Sequence, residues 1–513
     1  MHSARTNRGT SGLLSISDAG PRFGSRSLAS SALRGALTLA MFSALLLTAR
    51  QAQAQTEIVL YNFTGGSDGS EPQSNLTSDG KGNFYGTTDG GGVGTGTVFE
   101  LSPNGSGGWN GTVLHSFCSV PGCPDGELPV GNVIFDRAGN LYGTAEGGGN
   151  APDAGGVVFE LSPVGANWTE TILHSFAGGA DGAQPMAGLI MDPAGNLYGT
   201  TYGGGNGNAG TVFELSPNGG GWTEQVIYNV SIGVGGGLNM DTAGNIFGFT
   251  PSTVFELSPN GTGGWNPTVI LTFPRSYQKG PPVLDQDGNL YGTSGGLVFK
   301  LIRGKNGKWK ERGLYYFKGY KSGAPTTAIV FDASGNIYGT TASGGQYGNG
   351  TVFELVAPVG PGSYQGKVLW SFNNADGNLP WDSLILDSTG NLYGTTYRGG
   401  SSGYGVVFEV TGLPAATTTA LTSSPNPSTH GQAVTFTAVV TSSAGAPPDG
   451  ETVTFEHGTT VLGTGTLSGG SASFTTSTLP VGTIAVTALY FGDSNFSGNT
   501  SNTVNQVVAK LGK

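Results

Sequence analysis

The sequence has little charge. Only 11% of its 513 residues are Asp, Glu, Lys or Arg, and basic residues are the scarcer kind, 22 against 33, for a net charge of −11. A nucleic-acid binder needs a basic footprint, and this chain has none. Histidine is almost missing: His2, His115, His174, His430 and His457 are all there are. His115 and His174 occupy the same place in two copies of one phrase, LHSF, so they read as repeat positions. That leaves little material for a Ser–His–Asp triad or a histidine-rich metal centre. Two cysteines, Cys118 and Cys123, are too few for a disulfide framework; within SFCSVPGCPDG they read as one local disulfide in an oxidising compartment. A metal-binding pair is the alternative, but no further Cys or His lies nearby to complete it. The repeat region carries no amphipathic helical period, and apart from positions 35–49 there is no long hydrophobic run.

What is present is glycine, 93 residues, well above the usual ~7%, without a collagen period. Aromatics at 10% argue against disorder. Together these predict a folded, turn-rich, all-β protein. The N-terminus reads as an export signal. Arg22, Arg26 and Arg34 precede GALTLAMFSALLLTA (35–49), and AQA (52–54) offers small residues for cleavage near Ala54. The apolar run is shorter than the roughly 20 residues of a membrane span. The expected product is therefore exported, whether secreted, periplasmic or cell-surface, with no membrane span. Removing 1–54 leaves 16 basic and 32 acidic residues.

The phrase D-x-x-G-N-(L/I/F)-(Y/F)-G occurs seven times, led by Asp79, Asp136, Asp192, Asp241, Asp285, Asp332 and Asp387. Successive copies lie 57, 56, 49, 44, 47 and 55 residues apart. A period near 50 suits a four-stranded propeller blade. In the third copy the four strand-like runs are AGLIMD (187–192), NLYGTTY (196–202), TVFELSP (211–217) and WTEQVIYNV (222–230). Gly-, Asn-, Asp- and Pro-rich turns separate them, as in antiparallel hairpins. Copy seven ends at GVVFEVTG (405–412) without a fourth run, while EIVLYNF (57–63) precedes copy one. The N-terminal run is expected to supply the missing outer strand and so remove an open edge. Within copy three, GNGNAG (205–210) has the G-x-G-x-x-G spacing of a dinucleotide turn. Such a turn must lead into a helix; this one leads into TVFELSP, so the glycines are predicted to serve a tight hairpin.

GNLYGTTYGGGNGNAGTVFELSP (195–217) and GNIYGTTASGGQYGNGTVFEL (335–355) resemble the GloVer (Gloeo/Verruco) tandem repeat of exported bacterial proteins, over roughly 57–412. The resemblance implies extracellular placement and no defined activity. Copies four and five depart from the pattern: their Gly-rich loops shrink to TPS (250–252) and SGG (294–296). After residue 412 the composition turns to Thr, Ser and Val. ETVTFEHGTTVLGTGTL and GTIAVTALYFGDSNFSGNTS resemble a bacterial immunoglobulin-like domain of the group 3 type, a usual spacer or adhesion module. Strands are expected at 433–442, 451–458, 471–479, 482–493 and 502–508. The expected architecture is an export signal (1–54), a seven-bladed β-propeller (55–412) and an immunoglobulin-like sandwich (413–513).

Most recurring polar residues read as structural. The D-x-x-G-N aspartates cap their own turns, although seven such carboxylates also raise calcium as the one conceivable ion; no other cofactor is implied. The glutamates of VFEL (Glu100, Glu160, Glu214, Glu256, Glu354 and Glu409) are expected to pair within their sheets. A second set, Asp68, Asp125, Asp181 and Asp376 in D-G-x-x-P, precedes the first strand of four copies. These loops and the Gly-rich loops share a face in a propeller. That face is the candidate ligand site, comprising Asp68, Asp125, Asp181, Asp376, Trp381, Asp382, Tyr397 and Arg398, with Tyr202, Tyr347 and Tyr404 nearby. Carboxylates beside aromatic rings suit a glycan or calcium; turn formation by Asp-Gly is the competing account. The expectation is a non-enzymatic binding or scaffold protein for a glycan, envelope polymer or extracellular protein. The alternatives are a polysaccharide lyase or hydrolase using face carboxylates, and a plain spacer.

Overall fold

A computed structural model describes residues 55–510, apart from 153, 232, 234, 235, 273–279, 318–322 and 326. The expected export segment therefore lies outside the described residues, as does much of the loop before copy five. Among the described residues there is no α-helix, only one single-turn 3-10 helix at Gly179–Asp181. Among the described residues no helix is long and apolar enough to cross a membrane.

Each of the seven repeats forms one antiparallel sheet. The third is representative: Ile190–Met191, Leu197–Thr201, Thr211–Pro217 and Trp222–Asn229, paired in sequence order. The seventh takes its fourth strand from the N-terminus, where Thr56–Asn62 pairs antiparallel with Val406–Thr411. GNGNAG lies between two strands of the third sheet, with Gly210 N–H bonded to the Gly204 carbonyl, and no helix follows it.

The repeat sequence explains how the sheets join. Both faces of the inner strands are buried, so adjacent apolar residues face different neighbours. In VFEL, Val98 packs toward the second sheet and Phe99 toward the seventh; Val212 and Phe213 divide between the fourth and second in the same way. Seven apolar clusters link the sheets in succession, and the last unites Phe84, Phe99 and Leu101 of the first sheet with Tyr393 and Val407 of the seventh. The glycine of Y-G-T makes this packing possible. Gly199 stands opposite Phe213 in register, and a Cβ there would lie 2.4 Å from the Phe213 ring.

The threonine after that glycine bonds to the next sheet. Thr87 Oγ1 donates to the Gly131 carbonyl at 3.2 Å, Thr144 to Ala187 at 2.9 Å and Thr340 to Asp382 at 2.9 Å. The series returns to its start, where Thr395 donates to the Ser74 carbonyl at 3.5 Å. In the fourth sheet Phe249 replaces the threonine and instead reaches over Gly292 of the fifth. These carbonyls sit just before the first strands, which corrects one expectation. The first strand of copy three pairs only at Ile190–Met191, not over 187–192. The carbonyl of Ala187 serves the neighbouring threonine, and residues 186–190 turn toward a central cavity.

Beyond residue 412, a three-stranded sheet (Thr418–Ser424, Val434–Thr441, Ser471–Thr476) and a six-stranded sheet share one apolar core containing Phe436, Phe455, Val486 and Tyr490. The expected strands form with shifted ends, the last spanning Val504–Ala509 rather than 502–508, and Thr418–Ser424 and Thr460–Thr466 add to them. This region touches the sixth and seventh sheets. Thr417 N–H bonds Ser334 Oγ at 2.8 Å, Gly360 N–H bonds Thr500 Oγ1 at 2.9 Å, and Ser443 Oγ donates to the Ser388 carbonyl at 2.7 Å.

Candidate functional site

The segments preceding or forming the first strands of all seven sheets converge on one cavity of about 560 Å³. Its polar lining is acidic and amide-rich, with Asp89, Glu146, Asp382, Gln73 and Asn132, and one aromatic, Trp381. Among the described residues no lysine or arginine lines it. Burial pushes the Glu146 carboxyl above the usual range, and Asp89 and Glu127 push in the same direction.

The mouth is built where the last sheet meets the first. Trp381 stacks on Tyr397, with ring centroids 4.6 Å apart and planes 26° from parallel. The Tyr397 hydroxyl donates to Glu71 Oε2 at 2.8 Å, and Arg398 Nη2 pairs with Glu71 Oε1 at 2.5 Å. The Arg398 guanidinium also lies 5.1 Å from the Tyr397 ring centre. Asp382 is buried, its carboxylate accepting from Thr395 Oγ1 at 2.9 Å. It therefore positions the wall beside Trp381. A half-buried stacked aromatic pair held by an ion pair offers a flat apolar edge with polar groups beside it.

The D-G-x-x-P loops explain how Glu71 arrives there. Glu71, Leu128, Gln184 and Leu379 occupy the same loop position, and all have positive φ, from 57° to 59°. Non-glycine residues seldom adopt that conformation. The main-chain N–H of each bonds a carbonyl of the preceding sheet's Gly-rich loop, as Glu71 does to Tyr404 at 2.9 Å and Leu379 to Asn349 at 3.0 Å. The carbonyls of Leu128, Gln184 and Leu379 also accept from the end of their own sheet's second strand, as Leu379 does from Tyr397 N–H at 3.0 Å. The strained residue thus clamps two loops, and at Glu71 its side chain also reaches the mouth.

The aspartates of the same loops behave differently from the ligand-site expectation. Asp68 accepts from Thr64 N–H at 2.9 Å and the Tyr61 hydroxyl at 3.1 Å; Asp125 accepts from Cys118 N–H at 3.1 Å. Asp181 accepts from Ala177 N–H at 2.6 Å, and Asp376 from Asn373 N–H at 2.8 Å and Trp370 Nε1 at 3.3 Å. None of the four lines the cavity. Each closes its own turn and engages the aromatic or imidazole ring of the preceding outer strand. The structure brings together Trp381, Asp382, Tyr397 and Arg398, and does not gather the four aspartates with them. Tyr202, Tyr347 and Tyr404 are exposed and lie outside the cavity lining.

Sequence reasoning missed Glu71, Asp89 and Glu146. The available signal was deviation from the repeat: Asp89 and Glu146 stand directly after the second-strand phrase, where copies three and seven have Tyr202 and Tyr397. The D-x-x-G-N aspartates are turn caps: Asp192 Oδ1 accepts from Ala194 N–H at 2.8 Å and Asn196 N–H at 2.9 Å. The VFEL glutamates pair locally, as Glu409 does with the Tyr393 hydroxyl at 2.9 Å. Where Lys300 replaces the glutamate it bonds Asp285 at 3.0 Å. Cys118 and Cys123 form a disulfide.

A model described as the Gloeobacter/Verrucomicrobia repeat matches residues 46–254, 112–296 and 278–446. The chain belongs to this repeat family. Residues 421–509 of this Gloeobacter/Verrucomicrobia repeat protein match a bacterial Ig-like domain (group 3). No curated protein matches the chain. Among solved structures, an extracellular domain from B. thetaiotaomicron is similar at 13% identity and a TM-score of 0.44, covering 90% of this chain and 59% of that one. The repeat protein thus spans less than two thirds of that chain's length. Virginiamycin B lyase from Staphylococcus aureus is similar at 12% identity and a TM-score of 0.44, covering 70% of this chain and 98% of that one. A gluconolactonase from Xanthomonas campestris is similar at 14% identity and a TM-score of 0.35, covering 57% and 88%.

Proposed function

We propose that the seven sheets are the blades of a closed propeller, followed by an immunoglobulin-like sandwich, and that the protein is an exported, non-enzymatic binding module. The cyclic order of the apolar clusters and threonine bonds supports the propeller. The basic and apolar N-terminal segment supports export. The observation that carries the binding reading is the Trp381–Tyr397 stack held by Glu71 and Arg398 at the mouth of an acidic, amide-lined cavity. Aromatic faces pack on the apolar faces of sugar rings, while amides and carboxylates take up hydroxyls, so a glycan or envelope polymer is the ligand class. Screening residues 55–513 against a glycan array tests this: binding is expected, and Trp381→Ala is expected to weaken it at least tenfold.

A second reading follows from Glu146. A carboxyl raised above its ordinary range beside Asp89 is the acid–base pairing that glycan cleavage uses. It predicts product release from a polysaccharide, abolished by Glu146→Gln. No release from acidic or neutral polysaccharides leaves the binding module.

A further inference from the structure

The outer strands carry a second constellation, away from the cavity. Four residues before the His, Tyr or Trp of each outer strand, or Leu271 in the fourth, stands a position that is Glu57, Gly111, Glu170, Glu224, Pro267, Glu311 or Gly366. It faces the ring of the preceding sheet's outer strand. Where that ring is tyrosine the position is glycine in two cases, Tyr61 over Gly111 and Tyr315 over Gly366. Where it is histidine the position is glutamate. His115 thus meets Glu170, and His174 meets Glu224.

With the turn aspartates these make two equivalent clusters, His115–Asp125–Glu170 and His174–Asp181–Glu224, each with its donor atoms within 4.8 Å of one another. His115 Nε2 lies 3.5 Å from Asp125 Oδ2 and 3.6 Å from Glu170 Oε1. His174 Nε2 lies 3.1 Å from Asp181 Oδ1. Three oxygen and nitrogen donors on a tetrahedral zinc, with bonds of about 2.0–2.2 Å, stand roughly 3.3–3.6 Å apart. The Oε1 atoms of Glu170 and Glu224 and the Nε2 atom of His115 are fully buried without a hydrogen-bond partner. One cation at the centre would satisfy all of these atoms together.

We propose that each cluster is a binding site for a divalent cation of the zinc class, held by one imidazole and two carboxylates. The set does not suit calcium, which takes six to eight oxygen ligands. The ion would tie neighbouring sheets at their outer edge, because its ligands come from two outer strands and one turn. The seventh sheet supplies an internal control. Glu57 meets Trp370 and Asp376 in the same arrangement, with an indole in place of the imidazole and its Oε1 likewise unpartnered. That junction has no nitrogen lone pair to offer and should bind no ion.

The test is equilibrium dialysis of the chelator-stripped chain against Zn²⁺, with bound metal counted by mass spectrometry and folding followed by circular dichroism. Two ions per chain are expected, undisplaced by an equal concentration of Ca²⁺. One is expected in His115→Gln, one in Glu224→Gln, none in the His115→Gln/His174→Gln pair, and three in Trp370→His. A folded wild-type chain that holds no Zn²⁺ above the dialysate overturns the proposal. So does a folded double variant that still binds two.

Discussion

The Tyr397 hydroxyl donates to Glu71 at 2.8 Å, joining residues 326 positions apart. One comes from the last repeat and the other from the first, so the proposed ligand surface lies where the ring closes. Closure and binding are therefore separable by choosing which contact to remove.

The closing strand is the first case. Deleting residues 55–63 removes the fourth strand of the seventh sheet and the buried Phe63, leaving Val406–Thr411 as an open edge. Thermal melts are expected to fall steeply or lose cooperativity. An unchanged melting temperature would contradict N-terminal closure.

The threonine bonds and the glycine–phenylalanine contacts make local predictions. Thr395→Val loses the bonds to Ser74 and Asp382 and should cost about 1–3 kcal/mol. Gly199→Ala forces a methyl into the Phe213 ring and should cost roughly 1–3 kcal/mol as overpacking. Denaturant titration reads both, and Gly199→Ala, away from the Trp381–Tyr397 wall, should not change ligand affinity.

The turn aspartates should behave as structure. Asp68→Asn weakens the bonds to Thr64 and Tyr61 and is expected to lower stability while leaving ligand binding intact. Tyr397→Phe is expected to do the reverse, weakening binding with little change in the melt. Isothermal titration beside thermal melts separates the two patterns.

The difference between these residues shows what was legible in the sequence. TVFELSP at 211–217 forms its strand to the residue, because β-branched and aromatic side chains suit a strand buried on both faces. The first strands were read too long, because a carbonyl such as that of Ala187 serves a threonine from another repeat, a partner no local pattern reveals. Trp381 and Tyr397 are legible as candidates because they cluster with Asp382 and Arg398 in the seventh repeat. For Asp68 and Asp125 the sequence leaves turn cap and ligand carboxylate open, because both roles use the same residue type and only the partners tell them apart.

Stability should depend on pH through Glu57. Burial, with Asp376 adding to it, pushes its carboxyl up to about 8 from an ordinary 4.5. The folded state then holds a proton that the unfolded state releases between those values. Stability from this group is therefore greatest at low pH and falls as pH rises through that window. Glu57→Gln should flatten the decline and raise the melting temperature at pH 8–9. An unaltered profile would remove Glu57 as the cause.

The central claim is that the Trp381–Tyr397 surface binds a ligand. The most direct measurement is a glycan array on residues 55–513, run beside Trp381→Ala with matched thermal melts. Binding is predicted for the wild type and a loss of at least tenfold for a variant with the same melting temperature. Silence across the array, or binding that survives Trp381→Ala unchanged, would contradict it.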